Sequence, residues 1–347
     1  MNYIAATDGG LYAFFHKNGG VQWCGFDGND WLGAKMLVDD ASRDFSVNLT
    51  GHGMVVVSRD SKGNIAKTIF DGKSPDVDIN LIYSLPVVGE TGYMLMSQFA
   101  QVDGGWGSVR RLDNVAPVGG VVFKPVSISG QHLLTAYHQS QLVRGFESRL
   151  GYREIYDKQI GDFTVVHSGM GQYVDYSFLA TPHILHAAVA TRGLFGSRLI
   201  YKYKAGGFSK EIVVAEGGHP IDNIVLYLLD DVLHLAFVMG GVLYSTYWTG
   251  DGFAAAAIHT GSYSKNMGKA VFLASNSDGN RFLAAELLVD KAKPWEIQLH
   301  KEFIVVPQSK MIKTGGSGRV LSVENSEEGY NNFFNDMEHE LEKMGKD

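Results

Sequence analysis

The chain has 347 residues, 45% hydrophobic and 19% charged, with 42 glycines, 8 prolines and a net charge of -7. That balance is globular and excludes a disordered chain, and the length suits one large β domain or two ordinary ones. The negative charge offers no general attraction to phosphate backbones or anionic lipid, so neither nucleic acid nor a membrane is an expected partner.

The first residues, MNYIAATDGG, lack the basic and apolar regions of a secretion signal. No run approaches the ~20 apolar residues of a membrane helix. Cys24 is the one cysteine, which leaves no internal disulfide framework and no thiolate cluster for zinc. A soluble cytoplasmic protein is expected.

From the N-terminus onward one unit recurs: an apolar strand, a short Gly/Asp/Asn turn, and a second apolar strand rich in β-branched and aromatic residues. It is read at YIAATDGGLYAFF (3–15), FSVNLTGHGMVVV (45–57), LPVVGETGYMLMS (85–97) and PVSISGQHLLTAY (125–137). It returns at SFLATPHILHAAV (177–189), IVLYLLDDVLHLAF (224–237) and AVFLASNSDGNRFLAAE (270–286). Seven copies spaced about 40–50 residues apart have the period of propeller blades.

Each unit has room for two further strands, VQWCGFDGND and WLGAKMLVDD in the first, VLYSTYWTGDG and FAAAAIHTG in the sixth. Glycine supplies the positive φ that their turns need. The expected fold is therefore all-β, a seven-bladed β-propeller of four-stranded antiparallel blades over residues 1–306. The third unit is the least regular, with VDGGWGSVRRLDNVAPVGG reading as an extended loop, and the fifth carries extra length at ATRGLFGSRL. Contiguous chain is expected to build each blade, the last ending near IVVPQS (304–309), with GRVLSV (318–323) as an alternative late strand. A sandwich would not repeat at this interval, and a TIM barrel would need helical periodicity, absent before residue ~325.

The pattern changes after Val306. Residues 307–325 are rich in Gly, Ser and Lys and read as a flexible linker, and 326–347 as a C-terminal amphipathic helix. Ser326 suits an N-cap, and Glu327 and Glu328 suit the positive end of the helix dipole. Tyr330, Phe334, Met337, Leu341 and Met344 follow a four-three spacing with Phe333 beside them. This seam of about two heptads gains most of its stability from a partner surface. Self-association or docking to another protein is the expected use.

Searching the chain for chemistry yields no catalytic, metal or cofactor site. His183 and His186 would share a face only on a helix, whereas a strand points them to opposite faces. No nearby acid or cysteine completes a ligand set, and His132, His234 and His259 are scattered. HSGMG (167–171) lacks the strand–turn–helix setting of a nucleophile elbow, and GETGYM and GSGR lack the Lys/Ser of a phosphate loop. Asp39/Asp40 and Asp230/Asp231 read as turn formers. Trp106 with Arg110 and Arg111 has the composition of an interface hot spot, and is the candidate ligand or interface loop.

One phrase carries a resemblance. In LHLAFVMGGVLYSTYWTGDGF, the residues Leu233, His234, Leu235, Phe237, Leu243, Tyr244, Trp248, Gly250, Gly252 and Phe253 form a strand, a small turn, an LYxxxW strand and a GxGF corner. It resembles a unit of lectin-like and sialidase-like propellers, echoed in LIYKYKAGGF and LYAFFHKNGGVQW. The resemblance implies the propeller architecture and puts a glycan among the candidate partners. The sialidase corner Ser-x-Asp-x-Gly-x-x-Trp is not reproduced, since SRDSKGN (58–64) and SNSDGNRF (275–282) have other spacings and read as polar turns. Arg110, Arg111, Arg144, Arg149, Arg153 and Arg192 form no group in sequence. Trp23, Trp31, Trp106, Trp248 and Trp295 do not recur at one blade position, as a sugar platform in each blade would require. The expected function is a non-catalytic propeller scaffold with a C-terminal helix for self-association or docking. A carbohydrate-binding propeller is the alternative, and a sialidase-like glycoside hydrolase comes third.

Overall fold

The computed structural model describes residues 2–299 apart from 8–9, 51–52, 73–78, 87–92, 102–104, 116–122, 130–131, 142–146, 157–158, 170–171, 182, 262 and 275–281. The expected linker and C-terminal helix, with Tyr330, Phe333, Phe334, Met337, Leu341 and Met344, lie outside these residues. Among the described residues every regular element is a strand.

The strands form six sheets in chain order. Sheet 1 contains Tyr3–Thr7, Gly10–Lys17, Gly20–Phe26 and Lys35–Val38, and sheet 2 contains Phe45–Thr50, Gly53–Arg59 and Ile65–Gly72. Sheet 3 contains Asn80–Pro86, Tyr93–Phe99 and Arg110–Val115. Sheet 4 runs from Phe123–Ser129 through His132–Gln141 and Glu147–Tyr156 to Thr164–Gly169. Sheet 5 runs from Gln172–Ala180 through Leu185–Gly193 and Gly196–Ala205 to Ile212–Gly217, and sheet 6 from Ile221–Leu229 through Val232–Met239 and Val242–Tyr247 to Ala257–Ile258.

Among the described residues the apolar side chains of the inner strands pack into cores on both faces of the sheets, whereas outer strands such as Arg110–Val115 carry exposed charge. In sheet 1, Tyr3, Tyr12, Phe14 and Val21 face sheet 2, where they meet Phe45, Val47 and Met54. Their neighbours Ile4, Leu11, Phe15 and Cys24 face the other way, toward Val225, Ala236 and Leu243 of sheet 6. Four more cores join sheet 2 to 3, 3 to 4, 4 to 5 and 5 to 6. Among the described residues six sheets thus alternate with six apolar cores, an all-β architecture of the propeller type. Each large side chain buried in those cores contributes about 1.5–3 kcal/mol.

Contacts between innermost strands fix their direction. Asp175 accepts from Ile224 N, and Ser177 Oγ from Leu226 N, so sheets 5 and 6 begin at the same end. Tyr3 O–H donates to Phe45 O, start against start. We call the end where these strands begin the upper face. The turns between second and third strands lie on it, and the corners between third and fourth strands lie on the lower face.

Three sequence expectations are corrected. Among the described residues there is no seventh sheet. In the seventh hairpin, Met267–Ala274 pairs in parallel with Tyr3–Thr7, and Glu286–Asp290 pairs with Met267–Ala274. Phe282–Ala284 pairs instead with Ile221–Leu229 of sheet 6. The physical reason is the open edge of each innermost strand, whose backbone groups need partners. The same pairing overturns the expectation that contiguous chain builds every blade, since sheet 1 joins both ends of the described chain.

The third correction concerns sheets 2 and 3, each three-stranded among the described residues. Asp44 binds Ser84 while Ser46 binds Asn80, so Asn80–Pro86 runs opposite to Phe45–Thr50. Arg59, at the upper end of its strand, lies over the Tyr83 ring, which agrees. The hairpin read as an innermost pair at 85–97 is therefore the second and third strands of its blade. The segment read as an extended loop contains the outer strand Arg110–Val115.

Candidate functional site

The upper face holds the described groups best placed to act on a ligand. Where sheets 1, 5 and 6 meet, Lys269 Nζ donates to Asp175 Oδ1 at 2.6 Å and Oδ2 at 2.7 Å. It also reaches the carbonyls of Tyr176 and Ile224, and Glu286 stands 3.7 Å away. Both partners of the short pair are about 10% exposed. Asp222, beside them, has its carboxyl pushed up by burial and secondarily by the Asp175 charge. One strand from the end of the described chain is thus fastened to two sheets by a single cation. With its charge matched and four oxygens around it, Lys269 has the surroundings of a lock more than of a catalytic base.

Farther out, an open cavity of about 400 Å³ is lined by Asn2, His16, Lys17, Asn18, Gly19 and Arg43. The turn at its floor follows from sequence: Asn18 and Gly19 take φ of 54° and 79°, the left-handed pair of a two-residue hairpin. His16 Nε2–H donates to the Ala41 carbonyl at 2.9 Å, tying the turn to the chain that leads into sheet 2. Lys17 and Arg43 are exposed. This concavity can take an anionic or hydroxyl-rich group.

Also on this face, the hairpin of Leu185–Gly193 and Gly196–Ala205 turns through Leu194 and Phe195, which are 98% and 101% exposed. The sequence had marked ATRGLFGSRL only as extra length, whereas the structure spends that length on a continuous ladder and a tight tip. The signal was present in the turn itself. Sheets 1 and 6 place Asn18-Gly19 and Gly240-Gly241 where sheet 5 places Leu-Phe.

The expected interface loop is arranged differently from its sequence reading. Trp106 bridges Ala100 and packs into the core between sheets 2 and 3. Arg110 and Arg111 are exposed on the outer strand, and Arg111 Nη2 donates to Asn114 Oδ1 at 2.6 Å. Cations on an edge strand deter edge-to-edge pairing. Tryptophan does recur at one position after all, in a mixed series. Trp31, Trp106, Ile160, Phe208 and Phe253 each stand four residues before an outer strand, at the corner opposite Phe26, Ala100, Ile155, Lys204 and Trp248. Each packs into the core shared with the preceding sheet. Changing residue type and turn length hid the series.

The histidines divide by environment. His186 is buried with Nδ1 2.7 Å from Tyr201 O–H, and burial pushes its imidazole down to about 4. His183 is exposed. His234 stacks on Tyr227, and burial lowers it too. His259 lies beside Tyr263, and His132 begins a strand of sheet 4. His167 Nδ1–H donates to Tyr173 O–H at 2.7 Å, that hydroxyl donates to His167 O, and His167 Nε2 lies 3.6 Å from Glu211 Oε1. Asp230 and Asp231 take φ of 49° and 63°, as turn formers do. Asp60 of SRDSKGN accepts from Lys62 N and Asn64 N, a polar turn as expected. Among the described residues no group of three His, Cys, Asp or Glu could hold a metal.

No family model matches the chain, and no curated protein is similar to it. Among solved structures it is similar to a fungal lectin from Aleuria aurantia, a six-bladed β-propeller with a fucose recognition mode, at 13% identity over 74% of this chain and 94% of that one, TM-score 0.40. It is similar to the subtype N11 neuraminidase-like protein of A/flat-faced bat/Peru/033/2010 at 10% identity over 84% and 83%, TM-score 0.42. It is similar to the β-propeller domain of the trilobed protease from Pyrococcus furiosus at 9% identity over 72% and 80%, TM-score 0.36.

Proposed function

We propose that this protein is a non-catalytic propeller acting as an interaction scaffold, and that its upper face receives the partner. Six blades and a two-strand seam form the platform. The observation that carries this reading is the tip at Leu194 and Phe195, which the turn does not call for and which the fold leaves in water. Affinity recovery from the cells that make the protein, comparing the native chain with L194S/F195S, tests it. Partners that depend on the tip support the scaffold, and identical recovery by both chains refutes it.

As a second contact we propose residues 326–347, where the spacing of Tyr330, Phe334, Met337, Leu341 and Met344 is that of an amphipathic helix. Light scattering of the full chain beside one stopped at Ser309 is expected to give an oligomer and a monomer. Two monomers remove self-association by the tail. Carbohydrate binding is the second reading, favoured by the cavity at His16, Lys17 and Arg43, whose amides and cations suit hydroxyls and a carboxylate. A glycan array read with the native chain and K17S/R43S decides it, since a specific signal lost in the variant is required.

A further inference from the structure

The Leu194–Phe195 tip stands on a rigid stem. Nine residue pairs run from Leu185 opposite Lys204 to Gly193 opposite Gly196 without a break in register. Gly196 has φ of 134°, and a Cβ there would lie 2.4 Å from Gly217 O. The backbone thus admits only glycine at the base of the tip, while the two apex positions meet no such demand. Turn apices are ordinarily Gly, Asn, Asp, Ser or Pro, which supply the turn's conformation and local hydrogen bonds, and here both positions carry large apolar side chains.

Behind the apex sit cations. Arg192 is two residues before Leu194, Arg198 is three after Phe195, and both are exposed. At about 3.3 Å per strand residue, the charges trail the apolar apex by about 7–10 Å. That separation matches the depth to which apolar groups enter the headgroup boundary of a bilayer, about 5–10 Å. Cations at this height meet lipid phosphates, each adding attraction to an anionic surface. Two protruding side chains offer only a fraction of the roughly 800 Å² that a stable protein interface buries on each side, so a protein partner would have to touch the surrounding face as well, whereas a membrane needs the tip alone.

We infer that this hairpin inserts shallowly into an anionic membrane surface, with Leu194 and Phe195 below the headgroups and Arg192 and Arg198 against them. This goes beyond the scaffold reading and names what the upper face meets. The net charge of -7, from which no membrane is expected, is an average over the whole chain. The field at a membrane falls off within a Debye length, so the residues around the tip decide. Glu216 stands opposite Arg198 in the ladder and offsets part of its charge, which leaves the apolar pair as the main anchor.

The test is flotation of the full chain with vesicles of phosphatidylcholine alone and of phosphatidylcholine with phosphatidylserine. The native chain is expected to float with the anionic vesicles, less so at raised salt. L194S/F195S should lower the bound fraction roughly tenfold, the factor that about 1.4 kcal/mol gives, with its urea midpoint unchanged. R192Q/R198Q should lose the preference for phosphatidylserine while keeping weak binding. Absence of flotation by the native chain overturns the inference, as does equal flotation of the tip variant. If tip-dependent protein partners are recovered without flotation, the scaffold stands and the membrane assignment falls. If flotation occurs without such partners, the membrane assignment stands alone.

Discussion

Replacing Lys269 with methionine tests what fastens the strand Met267–Ala274 to sheets 5 and 6. Methionine keeps most of the side-chain volume but removes the donor to Asp175, Tyr176 O and Ile224 O. Asp175 and Glu286 then lose the cation between them, while Asp222 keeps the field of Lys291. Removing one partner of a buried, hydrogen-bonded pair costs about 3–5 kcal/mol. At about 2–4 °C per kcal/mol for a large domain, the melting temperature falls by roughly 6–20 °C. Scanning calorimetry and urea titration of native and K269M chains measure it. Hydrogen exchange should show the amides of Tyr3–Thr7 losing protection first, since their parallel partner Met267–Ala274 is the strand that Lys269 fastens. The K269M/D175N chain should recover part of the loss, because it leaves fewer uncompensated charges. A K269M chain within about 1 kcal/mol of native, the value of an ordinary surface pair, would refute the lock.

Burial holds the folded imidazole of His186 down at about 4, whereas the unfolded one protonates near 6.5. Its contribution is therefore complete above 6.5 and is lost as pH falls between those values, by about 3 kcal/mol at 1.36 kcal/mol per pH unit. Urea midpoints at pH 7 and 5 should converge in H186Q relative to native, and an unchanged acid slope would show that other groups carry it. The Cys24 thiol is buried and pushed up to about 12, so a thiol reagent at pH 8 should react only after denaturant is added. Gly196→Ala should cost roughly 1–3 kcal/mol, from a positive φ and the approach to Gly217 O. Gly193→Ala, with nothing within 4 Å of the added Cβ, should stay within about 1 kcal/mol. Equal stability of the two variants would show that the turn relaxes to another form.

What could be read in the sequence was local, and what escaped it was direction and closure. The hairpins at 3–15, 45–57 and 224–237 are visible because burial on both faces writes long apolar runs, and Asp230-Asp231 or Asn18-Gly19 mark the turns between or after them. Neither signal states which way a strand points relative to the ring axis. The hairpin at 85–97 has the same apolar texture as the others, yet it occupies the second and third places of its blade. Only the pairs Asp44–Ser84 and Ser46–Asn80 disclose the reversal. The seventh hairpin likewise reads as a blade, because pairing with Tyr3–Thr7 or with its own neighbour makes the same demand on side chains. The Lys269–Asp175 pair was invisible for a stronger reason. Lys269 and Asp175 are 94 residues apart, and each alone is an ordinary charge in an apolar strand. An unexplained charge inside a run such as MGKAVFLA must find its partner on another element, since burying it alone would cost several kcal/mol. Such a charge demands a counter-ion on another element, and only the packing of the sheets shows that it is Asp175.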